Sequence, residues 1–545
     1  MQRVLDFISR HKILVSSIFI FVFVLFYLIR VILGPFGFMA SHSLSLMGFF
    51  GDKTYLVLLE NENELRPTGG FVTGFAIIKM SHGVPEVHVF DSISVVPPKP
   101  QLKAPFYIEQ AFSGDEKYKG LLFHDSGYSL DFRLNAERAV DLLKKDPRFF
   151  GFDFDAVFSI DLYAIEHLID MYGSFKIEGE ELTGANLFDV LEKNAKDIDL
   201  HDEEEWKNRK NFFAPLAKDL VKEIATSPLS YGDFFNLLGE MAEEKHFLMS
   251  FKKLSLQKDV EKAGFSGKVP DGDYFHINNM NLGGRKADRF IQREYWSSFY
   301  VDHDGVVNER FEIRMHHQGT YNLQSDLYSA YLRIVRPAST ELLEGDLELK
   351  DGVFGHFYTL EPDEIKTFVY EFKYAADFAF DEIWMLSLIK QAGTIKTPYY
   401  VTFRGFADTS FDITTCRKTE NITSCELDLL RDQKLSVTRN KDTKAPIMQW
   451  ASFSGLNKIE LRFSEPISAE IFKEDIKVID LNKINNETNS IKILDGEVEG
   501  NSVNLTIEGV SSQQGEFFQV LIPNLKDSYG NIHSKNPFKV TIVQK

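Results

Sequence analysis

The run "ILVSSIFIFVFVLFYLIRVIL", Ile13 to Leu33, constrains this chain more than any other stretch. At about 1.5 Å per residue it is long enough, as a helix, to cross a bilayer core of about 30 Å. Arg3, Arg10 and Lys12 precede it, and the twenty residues after Arg30 contain no Lys or Arg. The positive-inside rule then puts residues 1–12 in the cytoplasm and everything after Gly34 outside the cell membrane. A cleaved signal peptide is the alternative, but the run exceeds the usual apolar core of about 7–15 residues. The expectation is one uncleaved transmembrane helix over 13–33 and a single-pass, membrane-tethered, extracytoplasmic protein.

The remainder of the 545 residues has no second run of this kind, and its length implies two to four domains. With 61 basic against 80 acidic residues the net charge is −19, so no nucleic-acid partner is expected, because a phosphate backbone calls for a basic surface. Residues 34–52 read as a connector. From Tyr55 strand-like runs such as "TYLVLL" and "FAIIKM" alternate with amphipathic helical patterns such as "RLNAERAVDLLKKD", which predicts an α/β (or α+β) domain over 53–291 with a helical insertion. Alternating strands with Gly/Pro/Asp turns predict a β-sandwich-like domain over 292–440 and a second over 441–545.

The only cysteines, Cys416 and Cys425, lie between flanks that alternate like hairpin arms. An oxidising compartment permits a disulfide there, two reduced thiols being the alternative. Without a nearby histidine they make an incomplete metal set, so no metal site is assigned.

The stretch "LLENENELRPTGGF", Leu58 to Phe71, sets Arg66 beside the turn Thr68-Gly69-Gly70. Such a turn can aim N–H groups at an anion while arginine adds a bidentate donor. Equally, Arg66 can pair with Glu60, Glu62 or Glu64 and the glycines can serve backbone geometry alone. Asp125 and Asp131, in "HDSGYSLDF", are weaker candidates, for acid–base work or for a divalent cation such as magnesium. In so turn-rich a stretch, aspartates also cap. No nucleophile elbow or Walker loop is present.

The stretch Leu58–Phe71 resembles the signature of the bacterial domain-of-unknown-function family 4012, and "FDAVFSIDLYAIEHLIDMYGSFKI" and "NMNLGGRKADRFIQREY" resemble its later blocks. That family is distantly similar to the LytR–CpsA–Psr family, membrane-anchored proteins that transfer polyprenyl-pyrophosphate-linked glycopolymers to the cell wall. The resemblance places Arg66 and Thr68 near that family's first motif, without the acid between them, and Asp91 near its second, without the preceding arginine. "LRFSEPIS" and "LKDSYGN" resemble the SbsA type of bacterial immunoglobulin-like domain, a spacer or adhesive module. These resemblances imply a cell-envelope protein that binds a phosphorylated or polyprenyl-linked glycan. The alternatives are a glycopolymer phosphotransferase, with Asp91 or Asp125 assisting a divalent ion, and a purely structural or adhesive surface protein.

Overall fold

The computed structural model describes residues 34–92, 102–112, 120–177, 180–196, 213–227, 231–269, 273–301, 306–322, 324–350, 352–375, 383–404, 409–413, 416–419, 422–441, 445–455, 457–473, 475–482, 489–508, 516–528 and 530–543. The expected anchor over 13–33 lies outside them. Among the described residues no helix is long and apolar enough to cross a membrane.

Strand β1 (Lys53–Arg66) pairs antiparallel with β2 (Gly69–Ser81). The ladder is interrupted: Asn61 faces Phe71 and Leu65 faces Gly70, so residues 62–64 bulge outward. The Asn61 side-chain oxygen accepts from the Asn63 N–H at 3.1 Å and the Asn63 amide at 2.9 Å, which folds the bulge upon itself. Of the polar string "ENENE", Glu60 and Asn61 thus stay in the ladder and the last three residues form a bulge. On the far side β2 pairs with β3 (Val84–Ser92). Strand β4 (Ala156–Asp161) runs parallel to β1, and β5 (Phe247–Phe251) closes the order β3-β2-β1-β4-β5.

Helix α1 (Phe132–Leu143) lays Phe132, Ala136, Ala139 and Leu143 on Leu56, Leu58, Phe75 and Ile77. Strand side chains alternate, so Val57 and Leu59 point to the opposite face. That face is covered by α2 (Leu162–Tyr172), α3 (Leu187–Lys196) and α4 (Phe213–Thr226). Gly173, at φ +96°, ends α2. Helices α5 (Tyr231–Glu243) and α6 (Leu254–Ala263) complete the unit, with α6 packing Leu256 and Val260 near Tyr55, Met249 and Phe251. An α/β unit followed by β-rich units is therefore the observed architecture.

The next unit is two seven-stranded sheets. One is built about β6 (Asp273–Asn281), antiparallel to Tyr328–Val335 and parallel to Ile383–Ile389. The other is built about Ile291–Val301, antiparallel to Val306–His317 and parallel to Pro398–Arg404. A boundary at 291/292 thus cuts off an inner strand of the sandwich, which takes in residues from 273. The cause is "HINNMN": its asparagines read as turn residues, yet Asn278, Asn279 and Asn281 are all buried. Cys416 and Cys425 are joined by a disulfide, with Cα atoms 4.6 Å apart, across the hairpin of Arg417–Thr419 and Ile422–Asp428. The terminal unit is a pair of four-stranded sheets closed over Leu461, Phe463, Phe518 and Val520.

Candidate functional site

The corner that the sequence marks as an anion site is filled by the chain itself. Arg66 is buried; its Nη1 donates to the carbonyl of Asn281 at 2.5 Å and to that of Leu65 at 3.1 Å, and its guanidinium lies 5.1 Å from the centre of the Phe71 ring. The Thr68 hydroxyl accepts from the Asn135 amide of α1 at 2.7 Å. The Gly70 N–H does meet a carboxyl oxygen, but it is that of Glu60, at 2.9 Å. Gly69 sits at φ +138°, and a Cβ on Gly70 would stand 2.1 Å from the Asn61 backbone, so each glycine answers a local steric demand.

The same turn is the joint between the first two units. The Leu65 N–H donates to Asp288 Oδ2 at 2.9 Å, and the Asn278 amide donates to the Pro67 carbonyl at 3.3 Å. Asp288 also accepts from Asn281, Arg293 and Tyr328, so a buried polar network backs the turn. The contacts that Arg66 and Thr68–Gly70 make are thus structural ones within the chain.

The weaker candidates do not converge either. Asp125 Oδ2 accepts from the Leu122 N–H at 3.0 Å and lies 3.5 Å from His124 Nε2. Asp131 caps α1 by accepting from the Arg133 N–H at 2.9 Å. Asp91 lies near the end of β3, and its side chain is outside the described residues. Among the described residues no group of three or more His, Cys, Asp or Glu side chains is placed to hold a metal ion.

The titratable groups gather instead at the carboxyl ends of the parallel pair, where Glu60 stands opposite Asp161. Open α/β sheets offer ligands a crevice at this place. Asp161 Oδ1 caps α2 through the Ala164 N–H at 3.0 Å, and its Oδ2 is 2.5 Å from His246 Nδ1. From the bulge, Glu62 Oε2 accepts from the Leu162 N–H at 3.0 Å, so two carboxyl groups meet the N-terminus of α2. The Tyr163 ring lies between two imidazoles, 4.4 Å from His246 and 4.3 Å from His167. Lys390 of the sandwich reaches the Glu244 carbonyl, while Lys245 reaches the Lys390 carbonyl at 3.1 Å and Asp432 at 2.6 Å.

Burial governs the charge state here. It holds Glu60 well above the usual carboxylate range, the Gly70 hydrogen bond pulling it back only in part, and holds Glu62 there with the Asp161 charge adding to the effect. It lifts Asp161 to about 7 and Glu166, one turn into α2, to about 7. It brings Lys390 down to about 7 and, with the Lys390 charge, keeps His246 neutral. Displaced titrations of this kind gather at working sites.

Two cavities flank this cluster and differ in character. One, of about 190 Å³, lies between the sheet and α2 and α4; apart from Glu60 and Thr73 its walls are apolar, Val57, Leu59, Ala76, Ile160, Leu168 and Leu220 among them. The other, a cleft of about 540 Å³, runs between the α/β unit and the sandwich and takes walls from Glu62, Asn63, Tyr163, Glu166, Phe188 and Arg289. Arg289 lies 4.1 Å from the centre of the Phe188 ring.

Residues 51–195 match the model of the family described as protein of unknown function (DUF4012). The matched stretch carries the bulge, Asp161 and Glu166, and stops short of His246 and Lys390. No curated protein matches the chain. Sequence reasoning passed over Asp161, Glu166, His246 and Lys390. For the first two, "SIDLYAIEH" offered a signal, an acid ending a strand and opening a helix; for His246 and Lys390 there was none.

Proposed function

We propose that this chain is a membrane-anchored envelope protein whose α/β unit binds a glycan carried on a long apolar chain, such as a polyprenyl-phosphate glycan. The observation that carries the reading is the division of labour along β1. Glu60 lines the apolar cavity, and two residues on Glu62 lines the polar cleft. A ligand spanning the two must be apolar at one end and polar at the other. The narrow apolar cavity suits a slender hydrocarbon chain. In the cleft, Glu62, Glu166 and Asn63 suit hydroxyl groups, Tyr163 and Phe188 offer ring faces, and Arg289 offers a guanidinium to a phosphate. The distant likeness to the LytR–CpsA–Psr family favours the same ligand class. The run over 13–33 supplies the anchor, and the terminal unit, read as an SbsA-type module, acts as a spacer.

The test is affinity for a geranylgeranyl-phosphate-linked disaccharide, using the full chain in nanodiscs. Ala217→Trp, which fills the apolar cavity from α4, is expected to weaken binding about tenfold or more, roughly 1.4 kcal/mol. Glu166→Gln is expected to weaken the glycosylated ligand and spare the bare prenyl phosphate. Unchanged affinity in both variants overturns the reading.

A further inference from the structure

The cluster just described sits at one end of β1, and the opposite end carries a feature of another kind. Leu44, Met47, Phe49, Phe50 and Val84 expose large apolar side chains, Phe50 being 77 % and Val84 65 % accessible. They form one surface. The Gly83 N–H donates to the Met47 carbonyl at 2.7 Å, and the Phe49 N–H to that of Leu44 at 3.0 Å. A Cβ on Gly83 would meet Phe49 at 3.4 Å and Met47 at 3.5 Å.

The surface is also held firmly. The Tyr55 hydroxyl donates to the Leu46 carbonyl at 2.5 Å, and Phe36 is buried against Phe265 with ring centres 5.3 Å apart. Contiguous exposed apolar surface of this sort marks a contact with protein or lipid.

Chain geometry chooses between the two. The apolar run ends at Leu33, and Phe36, three residues on, is already fixed in the core of the α/β unit. A bilayer that holds residues 13–33 therefore lies directly against this end of the unit. The apolar cavity leads the same way. It shares Val87 and Val221 with a second cavity of about 360 Å³, bounded by Pro85, Glu86 and Lys222, beside Val84.

We infer that Leu44, Met47, Phe49, Phe50 and Val84 dock on the lipid surface, seating the unit on the bilayer with the outer end of its apolar cavity facing the lipid. The inference rests on the anchor of the proposed function. Contact is made by apolar side chains entering the interfacial zone, not by charge, as suits a chain of net charge −19.

The test uses the full chain in phosphatidylcholine nanodiscs. An environment-sensitive dye is placed by Phe50→Cys or, for comparison, by Leu494→Cys in the terminal unit; Cys416 and Cys425, being bonded, do not take the label. Doxyl-labelled lipid is expected to quench the dye at 50 several-fold more than at 494, at low and high salt alike, and Met47→Ser with Phe49→Ser is expected to reduce that quenching. Flotation of the chain with lipid reads the anchor separately. A chain that floats with equal quenching at both sites overturns the docking surface and leaves the anchor standing. A chain that neither floats nor quenches overturns both. Quenching that persists unchanged in the double variant overturns the assignment to these residues.

Discussion

The guanidinium of Arg66 donates to the backbone carbonyl of Asn281 at 2.5 Å, tying the turn after β1 to a strand 215 residues later. The most recognisable motif of the chain is thereby a joint between units, and its arginine serves a carbonyl instead of a ligand. Arg66→Ala leaves that buried carbonyl without its donor, which costs about 1–3 kcal/mol. The expected outcome is an earlier first unfolding transition in denaturant and faster proteolysis between the units, with ligand affinity changed only through loss of folded protein. A variant with wild-type stability and no ligand binding would return Arg66 to the role of a clamp.

Gly70 sits flush on the Asn61 backbone, 2.1 Å from where a Cβ would stand, while Gly151 has nothing within 4 Å of such an atom. Gly70→Ala forces the bulge away from β2 and is expected to destabilise the unit by about 3 kcal/mol. Gly151→Ala is expected to be close to neutral. Comparable melting temperatures for the two variants would contradict the packing described for the turn.

The buried cluster makes stability depend on pH with a stated sign. Asp161 and Glu166 have folded pKa values raised to about 7, so the folded chain holds their protons more tightly than the unfolded one. Their contribution is complete below about 4 and is lost as pH rises through about 7. Lys390, lowered to about 7, acts oppositely: its contribution is complete above about 10.5 and is lost as pH falls through about 7. Glu166→Gln should therefore gain stability relative to the parent at pH 8 compared with pH 5, and Lys390→Met should gain at pH 5 compared with pH 8. Parallel denaturation profiles for parent and variants would contradict the charge states assigned.

Hydrophobic patterning made the α/β unit and the β-rich units legible, because the unbroken apolar run Tyr55–Leu59 and the helical stripe of Phe132–Leu143 are local properties of the chain. What depended on remote partners was not legible. Asn278, Asn279 and Asn281 look like turn residues until a strand neighbour and the Arg66 turn bury them. Arg66 and the glycines look like an anion cradle until Glu60 is seen at the Gly70 N–H. Asp161 and Glu166 are visible as a strand end and a helix start. Their companions His246 and Lys390 are brought in by β5 and by the sandwich, from 85 and 229 residues beyond Asp161, with no motif to announce them.

In the proposed function one ligand lies across both cavities. The most direct test is photocrosslinking in nanodiscs. The full chain is irradiated with a prenyl-phosphate disaccharide carrying a diazirine on the chain or on the sugar, and the modified peptides are mapped. The chain probe is expected to mark β2 and α4, near Ala76 and Leu220, and the sugar probe to mark peptides holding Tyr163, Phe188 or Arg289, with both patterns lost on competition by unlabelled ligand. Labelling confined to the transmembrane run, or scattered and indifferent to competitor, would contradict the proposed function.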